Sequence, residues 1–212
     1  MIFSAVDLWD LGRAAERPYY PAGTDVINRL QPWGLYDIDD GNDYGYIARW
    51  DNCWSIHVLG SDDARDWCEN IFGWIRKDSD TGAVIGYSRP GARIAMQAMR
   101  IIGDSGLPVL LEGHSRGGAI VQDVALRMAR AGAVINRVVT FGSPPVGGSR
   151  FWDKMADARL LVDRYVINGD IVPNTPPWGK QYGKPIRCES DARGIKGKHL
   201  DYGNCVTGEY EI

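Results

Sequence analysis

The sequence predicts an α/β fold, with a mostly parallel central sheet flanked by helices in a single compact domain spanning residues 1–212. The length of 212 residues suits one domain with a substantial core. After residue 83, β-branched apolar runs alternate with amphipathic stretches, and strands that alternate with helices form parallel sheets covered on both faces. The run at 107–119 predicts a buried strand, a glycine-rich turn and a helix.

The first 45 residues are predicted to wrap around this domain. Residues 1 to about 16 are interpreted as a surface helix that stops at Pro18, and its apolar side comprises Val6, Leu8, Trp9 and Leu11. Residues 17–45 are rich in Pro, Gly, Asp and aromatic residues and are predicted to be mostly irregular. These aromatic side chains could line a substrate cleft, but packing onto the domain is the more common use.

Strand and helix patterns alternate through the rest of the chain. Residues 44–50 and 53–59 predict a β-hairpin or two successive strands, and a helix is predicted to begin at Pro90 and end near Gly103. Between them, the Asp-rich turn at 61–63 either caps a short helix through Ile75 or supplies half of an oxyanion hole.

Further strands are predicted over 133–141 and 160–167, with a helix near 151–158 between them. In parallel sheets the active site lies outside the carboxyl ends of the strands. Ser115, Ser143 and Asp170 each follow a predicted strand. We therefore expect these three residues at one edge of the sheet.

Gly113-His114-Ser115-Arg116-Gly117 fits G-x-S-x-G, the pattern of a nucleophile elbow. A serine on a sharp strand-to-helix turn projects its hydroxyl clear of the sheet, and Gly113, Gly117 and Gly118 leave room for strand and helix to approach. The following helix points its amino end at Ser115, where its dipole can stabilise negative charge. Serine is also a common turn residue, but the flanking strand and helix favour the catalytic interpretation.

The base and acid of a triad follow by elimination. The chain has three histidines. His114 adjoins Ser115 and should point elsewhere, and His57 lies in a predicted strand ahead of the nucleophile. Because the expected order is Ser, acid, His, the base is predicted to be His199. Asp170, in a Gly- and Pro-rich turn after a strand, is the best candidate acid, with Asp163 and Asp201 as alternatives.

Five motifs, spanning residues 54–202 in order, together resemble the class 3 (fungal-type) triacylglycerol lipase family of the α/β-hydrolase fold. Three are similar to its G-H-S-L-G-G-A, T-F-G-x-P-x-V-G and D-x-V-P sequences, and two resemble its H-x-x-Y and its oxyanion-loop R-G-T and D-W pair. In this chain they are Gly113–Ala119, Thr140–Gly147, Asp170–Pro173, His199–Tyr202, and Gly60-Ser61 with Asp66-Trp67.

The resemblance implies a triad of Ser115, Asp170 and His199, with Ser61 and the backbone N–H of Arg116 as the oxyanion hole. Two residues depart from the family pattern: Leu59 replaces an arginine, and Arg116 replaces a leucine. The segment from Ser61 to Pro90 is short and charged, with little sign of an amphipathic lid. This departure favours a lipase-like esterase over an interfacial triglyceride lipase.

The leading hypothesis is a serine hydrolase that cleaves carboxylic esters through an acyl-enzyme and needs no cofactor or metal. One alternative is acyl transfer to another alcohol or amine by the same triad. Another is a catalytically silent binding module, although such a module has no chemical reason to keep Ser, Asp and His together. Turnover of an ester substrate would separate the enzymes from the silent module.

Composition limits the partners and the compartment. The net charge of −3 and the lack of a basic patch argue against nucleic acid. No apolar run is long enough for a membrane span and no signal peptide is recognisable, so the default expectation is a cytoplasmic protein that binds a small-molecule or lipid ester, with transient lipid-surface contact. Four cysteines without a C-x-x-C pair predict reduced thiols rather than zinc, and leave disulfides open. The cysteines are Cys53, Cys68, Cys188 and Cys205, the last two bracketing His199.

Overall fold

A computed structural model describes residues 1–14, 21–39, 44–59, 76–177 and 179–212. Within them, the central sheet has seven strands in the order β2-β3-β4-β5-β6-β7-β8. These strands are β2 (Gly34–Asp39), β3 (Tyr44–Arg49), β4 (Trp54–Val58), β5 (Val109–His114), β6 (Ile135–Phe141), β7 (Val162–Ile167) and β8 (Lys184–Cys188). A separate two-stranded sheet pairs β1 (Ile2–Ser4) with β9 (Glu209–Glu211).

The mostly parallel sheet is confirmed. From β4 to β8 every neighbouring pair is parallel, whereas β2, β3 and β4 are antiparallel, as the predicted hairpin requires. Val58 at the end of β4 is in register with Gly113 near the end of β5. The chain leaving β4 therefore emerges beside the predicted elbow.

Seven α-helices lie within the described residues, and the longer ones bury apolar side chains against both faces of the sheet. They are α1 (Ala5–Arg13), α2 (Pro21–Leu30), α3 (Ile85–Ile102), α4 (Ser115–Arg130), α5 (Ser149–Asp157), α6 (Gly194–His199) and α7 (Tyr202–Cys205). Successive strand residues face opposite sides, so Leu111 joins the core under α3 and α4 and Leu110 joins the core under α1.

The prediction for the amino-terminal segment is wrong in two respects. Residues 21–30 form α2 and residues 34–39 form an edge strand, rather than an irregular wrap. Pro21 occupies the first helical position, where its missing N–H costs nothing. The strand β2 contains Asp37 and owes its conformation to pairing with β3, which local composition does not reveal.

Helix α1 is an internal element rather than a surface helix. Ser4 and Asp7 form a capping box: the Asp7 N–H donates to Ser4 Oγ at 3.0 Å and the Ser4 N–H donates to Asp7 Oδ2 at 3.2 Å. Leu8 and Leu11 are fully buried, whereas Val6 is exposed. The helix lies against β5, directly below the predicted elbow.

Helix α3 begins at Ile85, five residues before the predicted start, so Pro90 lies inside it. Proline has no N–H to donate to the carbonyl four residues earlier, which here is that of Gly86. The Gly86 carbonyl instead accepts from Arg116 Nη2 at 3.2 Å. A side chain of the elbow thus replaces the helical hydrogen bond that Pro90 cannot make.

Candidate active site

Ser115 is the first residue of α4, directly after β5, and its φ is 52°. Left-handed backbone is uncommon for a residue with a side chain and is found where a sharp turn is enforced by its surroundings. Ser115 is 2% exposed. The strand–turn–helix geometry predicted for a nucleophile elbow is therefore present.

Glycines surround this turn because backbone atoms leave no room for side chains. A Cβ on Gly113 would lie 2.5 Å from the carbonyl carbon of Gly117, and one on Gly117 would lie 2.1 Å from the Val58 carbonyl oxygen. A Cβ on Gly118 would lie 2.8 Å from Ser143 Cβ. The prediction that these three glycines make room for the elbow is confirmed.

Asp170 lies three residues after β7 and is almost fully buried. Its Oδ1 accepts from the Val172 N–H at 3.0 Å, and its Oδ2 accepts from His199 Nδ1 and from the Tyr202 hydroxyl, each at 2.8 Å. Three donors therefore fix both carboxylate oxygens, and one of them is the predicted base.

His199 is the last residue of α6. Its Nδ1 bonds Asp170, and its Nε2 is buried with no hydrogen-bond partner among the described residues. A histidine held at Nδ1 by a carboxylate, with Nε2 open, has the arrangement a general base needs. Its ring centroid lies 4.7 Å from that of His114, the residue before Ser115.

Two further residues, Tyr202 and Gly142, lie against His199 and Asp170. Burial and the Asp170 carboxylate raise the pKa of the Tyr202 phenol, which keeps it protonated as a donor to Asp170. Gly142 follows β6, and a Cβ there would lie 2.9 Å from His199 Cε1 and 3.0 Å from Asp170 Oδ2. Both residues lie in the motifs Thr140–Gly147 and His199–Tyr202, but sequence reasoning assigned neither of them a role.

The alternative acids lie elsewhere. Asp163, inside β7, is 3.3 Å from Arg137 Nη1, and Asp201 accepts hydrogen bonds from Ser190 and Asn204. The predicted Ser143 does follow β6 and is buried, where its Oγ accepts from Gln122 Nε2 at 3.2 Å. The structure therefore brings His199 together with Asp170 rather than with either alternative.

Ser61 and the short helix predicted through Ile75 lie outside the described residues, as do Cys68 and the D-W pair. The last described residue before them is Leu59. A Cβ on Gly117 would lie 2.8 Å from the Leu59 backbone, so the chain reaches residue 59 in contact with the first turn of α4. The Arg116 N–H belongs to that same turn.

Comparison with known proteins identifies the family. The model of the family described as Lipase (class 3) matches residues 55–180, more than half of the chain. The chain belongs to the class 3 lipase family. A segment is also 36% identical over 100 residues to phospholipase A1-Igamma2, chloroplastic, of Arabidopsis thaliana, which covers 43% of this chain and 19% of that protein. The chain thus spans about a fifth of the length of that curated relative.

Solved structures of lipases share the fold of this class 3 lipase-family chain. Lipase II from Rhizopus niveus superposes with a TM-score of 0.72 at 16% identity, covering 93% of this chain and 86% of that one. The Rhizomucor miehei triacylglyceride lipase gives a TM-score of 0.68 at 19% identity, covering 88% and 83%. These likenesses confirm the predicted α/β-hydrolase fold in one compact domain.

Arg116 stands where the class 3 lipase pattern has leucine, and its guanidinium donates to the Gly86 carbonyl. We expect Arg116→Leu to leave turnover of a small neutral ester within about tenfold, because the backbone N–H of residue 116 is unchanged. The same change should lower the free energy of unfolding by about 1 kcal/mol, since the Gly86 carbonyl loses its donor.

The double-mutant cycle with Pro90→Ala separates this role from substrate recognition. Alanine restores a backbone N–H that can bond Gly86, so the destabilisation by Arg116→Leu should shrink in the Pro90→Ala background. Equal destabilisation in both backgrounds would contradict the replacement of a helical hydrogen bond. A changed ratio of kcat/KM for neutral and anionic esters would instead indicate that Arg116 contacts substrate.

A Ser–His–carboxylate cluster separate from the His199–Asp170 pair lies inside the protein. Ser55 Oγ is 2.8 Å from His57 Nε2, and His57 Nδ1 is 3.2 Å from Glu112 Oε2. Burial lowers the pKa of His57 from 6.5 to about 3, and burial raises the pKa of Glu112 well above its usual range. All three side chains are at most 1% exposed, so this arrangement is closed to substrate.

The buried His57 and Glu112 should make the free energy of unfolding depend on pH. The depressed His57 pKa gives stability that is present above pH 6.5 and lost as pH falls toward about 3. The raised Glu112 pKa acts oppositely, with stability present below its ordinary 4.5 and lost as pH rises through its folded value. Glu112 adds little pH dependence below its ordinary 4.5, so the loss of stability on acidification from pH 4.5 toward about 3 should come from His57.

Below pH 4.5 we expect the free energy of unfolding to fall less steeply with pH in His57→Gln than in the wild type, by up to about 1.4 kcal/mol per pH unit. Urea unfolding from pH 4.5 downward measures this slope. Glu112→Gln is the matched variant, and it should instead reduce the loss of stability as the pH rises above 4.5. Parallel wild-type and His57→Gln curves below pH 4.5 would show that His57 titrates alike in both states.

The described residues contain no group of three or more His, Cys, Asp and Glu side chains that could hold a metal ion. Within the same ranges, no helix combines the length and apolar character needed to cross a membrane.

Cys53 is a buried free thiol, and burial raises the pKa of its thiol to about 11. The side chain of Cys205 lies outside the described residues, so a disulfide between Cys188 and Cys205, which the sequence left open, stays untested.

Proposed function

We propose that the chain hydrolyses carboxylic esters with Ser115 as nucleophile, His199 as general base and Asp170 as the orienting acid. The observation that carries the proposal is the 2.8 Å contact between His199 Nδ1 and Asp170 Oδ2, with His199 Nε2 open. The elbow at Ser115 and membership of the class 3 lipase family support it. Ser115 follows the end of β5 and Asp170 follows the end of β7, at the same edge of the sheet.

In this mechanism His199 Nε2 takes the Ser115 hydroxyl proton as Oγ attacks the ester carbonyl carbon. Asp170 orients the imidazole and stabilises the imidazolium that forms. The tetrahedral intermediate then expels the alcohol, which receives the proton from Nε2. Water, deprotonated by the same nitrogen, attacks the acyl-enzyme, and collapse releases the carboxylic acid and regenerates Ser115.

The oxyanion of the tetrahedral intermediate needs donors aimed at it. We assign this role to the Arg116 N–H at the amino end of α4, with the helix dipole in support, and to Ser61. The contact of residue 59 with Gly117 supports this assignment, because Ser61 follows two residues later.

The substrate class is proposed as a small-molecule or lipid ester. The family name and the Arabidopsis relative, a phospholipase A1, favour an ester of glycerol. The charged segment between Ser61 and Pro90 favours an esterase-like enzyme that acts on dissolved substrate. Rates with short-chain p-nitrophenyl esters, a triacylglycerol and a phospholipid, measured below and above their solubility limits, would distinguish these substrates.

A fluorophosphonate probe tests the proposal directly. The wild-type chain should form a covalent adduct that peptide mass spectrometry locates on Ser115, and it should turn over a short-chain ester. Adding an alcohol acceptor distinguishes the two reactions, because hydrolysis yields the carboxylic acid and acyl transfer yields a new ester. An inert, correctly folded chain would favour the silent binding module.

A further inference from the structure

The imidazole of His114 contacts His199, the proposed catalytic histidine. Its Nε2 is 2.9 Å from the backbone carbonyl oxygen of His199, and the two ring centroids are 4.7 Å apart with 37° between the planes. On its other side the indole of Trp9 packs edge-on at 5.0 Å and 80°. The imidazole of His114 is thus held between α1 and the end of α6.

The direction of this hydrogen bond follows from its acceptor. A carbonyl oxygen can only accept, so His114 Nε2 carries the hydrogen and donates. Burial and the neighbouring His199 hold the pKa of the His114 imidazole well below its usual range. His114 therefore stays neutral, and it does not compete with His199 for the proton that moves during the proposed reaction.

The contact matters because the helix that carries His199 is short and exposed. Helix α6 has six residues, none of them buried, and His199 is its last. The final carbonyls of a helix have no partner within the helix. The bond from His114 gives the His199 carbonyl a donor, and it fixes the backbone from which the catalytic imidazole projects.

We infer that His114 is a positioning residue that holds His199 in its reactive orientation and connects it, through Trp9, to the amino-terminal helix. The inference rests on the proposed function. Trp9 also contacts Phe141 and Tyr202, at centroid distances of 5.4 and 5.8 Å, so α1 supports both the elbow and the segment that follows His199. The N-terminal helix is then part of the catalytic scaffold.

Two substitutions separate positioning from packing. His114→Phe keeps an aromatic ring beside Trp9 but removes the donor, whereas His114→Gln keeps an N–H near the Nε2 position and loses the ring. We expect His114→Phe to lower kcat for a soluble ester between about tenfold and a hundredfold at unchanged KM, as for a misplaced base. His114→Gln should retain kcat within about fivefold.

Thermal unfolding should rank these variants in the opposite order, because Phe preserves more of the apolar packing. Tyr182→Phe is the control: it removes the 3.0 Å hydrogen bond from Tyr182 to the Leu160 carbonyl, in the core on the opposite face of the sheet from α1. It should lower the melting temperature with kcat unchanged.

The outcomes are distinct. If kcat follows melting temperature across His114→Phe, His114→Gln and Tyr182→Phe, His114 is a packing residue and the inference is overturned. If the wild type reacts with fluorophosphonate and His114→Phe reacts equally fast, the inference fails while the proposed function stands. An unreactive wild type would instead overturn the proposed function itself.

Discussion

Ser115→Ala is expected to reduce kcat for ester hydrolysis by on the order of 10³ to 10⁶ and to abolish labelling by fluorophosphonate. The reason is chemical, since alanine has no oxygen to form the acyl-enzyme, and residual rate can come only from binding and the oxyanion hole. Burst and steady-state assays on a p-nitrophenyl ester measure the loss. The protein should remain folded, because the change removes one oxygen at a position that is already backbone-constrained.

Ser143→Ala is the matched control. Ser143 is buried, lies at the same edge of the sheet and bonds Gln122 and the Pro144 carbonyl. Its loss should cost about 1 kcal/mol of stability and leave kcat within about tenfold. Comparable losses of activity in both serine variants would argue against Ser115 as the nucleophile.

Asp170→Asn is expected to lower kcat by about 10⁴, because an amide cannot hold the imidazole in the same tautomer or stabilise the imidazolium. Asp170 Oδ2 accepts hydrogen bonds from His199 Nδ1 and from the Tyr202 hydroxyl. A neutral amide therefore also weakens the hydrogen bond from Tyr202. Pre-steady-state acylation rates at several pH values, with circular dichroism to verify folding, measure the effect.

The alternative acids serve as controls for this assignment. Asp163→Asn removes a partner of Arg137 and should cost little activity. Asp201→Asn weakens the acceptor for Ser190 and Asn204 and, through the backbone next to His199, should lower kcat only modestly. A folded Asp201→Asn variant with a greater loss of kcat than Asp170→Asn would refute the proposed acid.

Local sequence was sufficient where local sterics decide the conformation. The elbow is an example: Gly113, Gly117 and Gly118 sit where a Cβ would meet neighbouring atoms, and the pattern predicts the strand–turn–helix that is found. Asp170 and His199 could be selected by their order and by strand ends, and they are in contact. Their catalytic roles, with those of Ser61 and Arg116, stay predictions.

Long-range partners explain what the sequence did not reveal. Residues 34–39 form a strand because β3 pairs with them, and α3 continues through Pro90 because Arg116, distant in the chain, bonds Gly86. Sequence reasoning dismissed His114 as pointing elsewhere, and the pattern contains no sign that it reaches the His199 carbonyl, 85 residues away.

By itself, the sequence determined the fold class, the elbow and the order of the candidate residues, since these depend on periodicity and on glycine placement along a few neighbouring positions. Only the tertiary structure decided which carboxylate meets His199, what supports its backbone and how the amino-terminal helix joins the core. Those contacts depend on the register of parallel strands and on side chains that converge from distant segments, and a hydrogen bond requires both partners within about 3 Å.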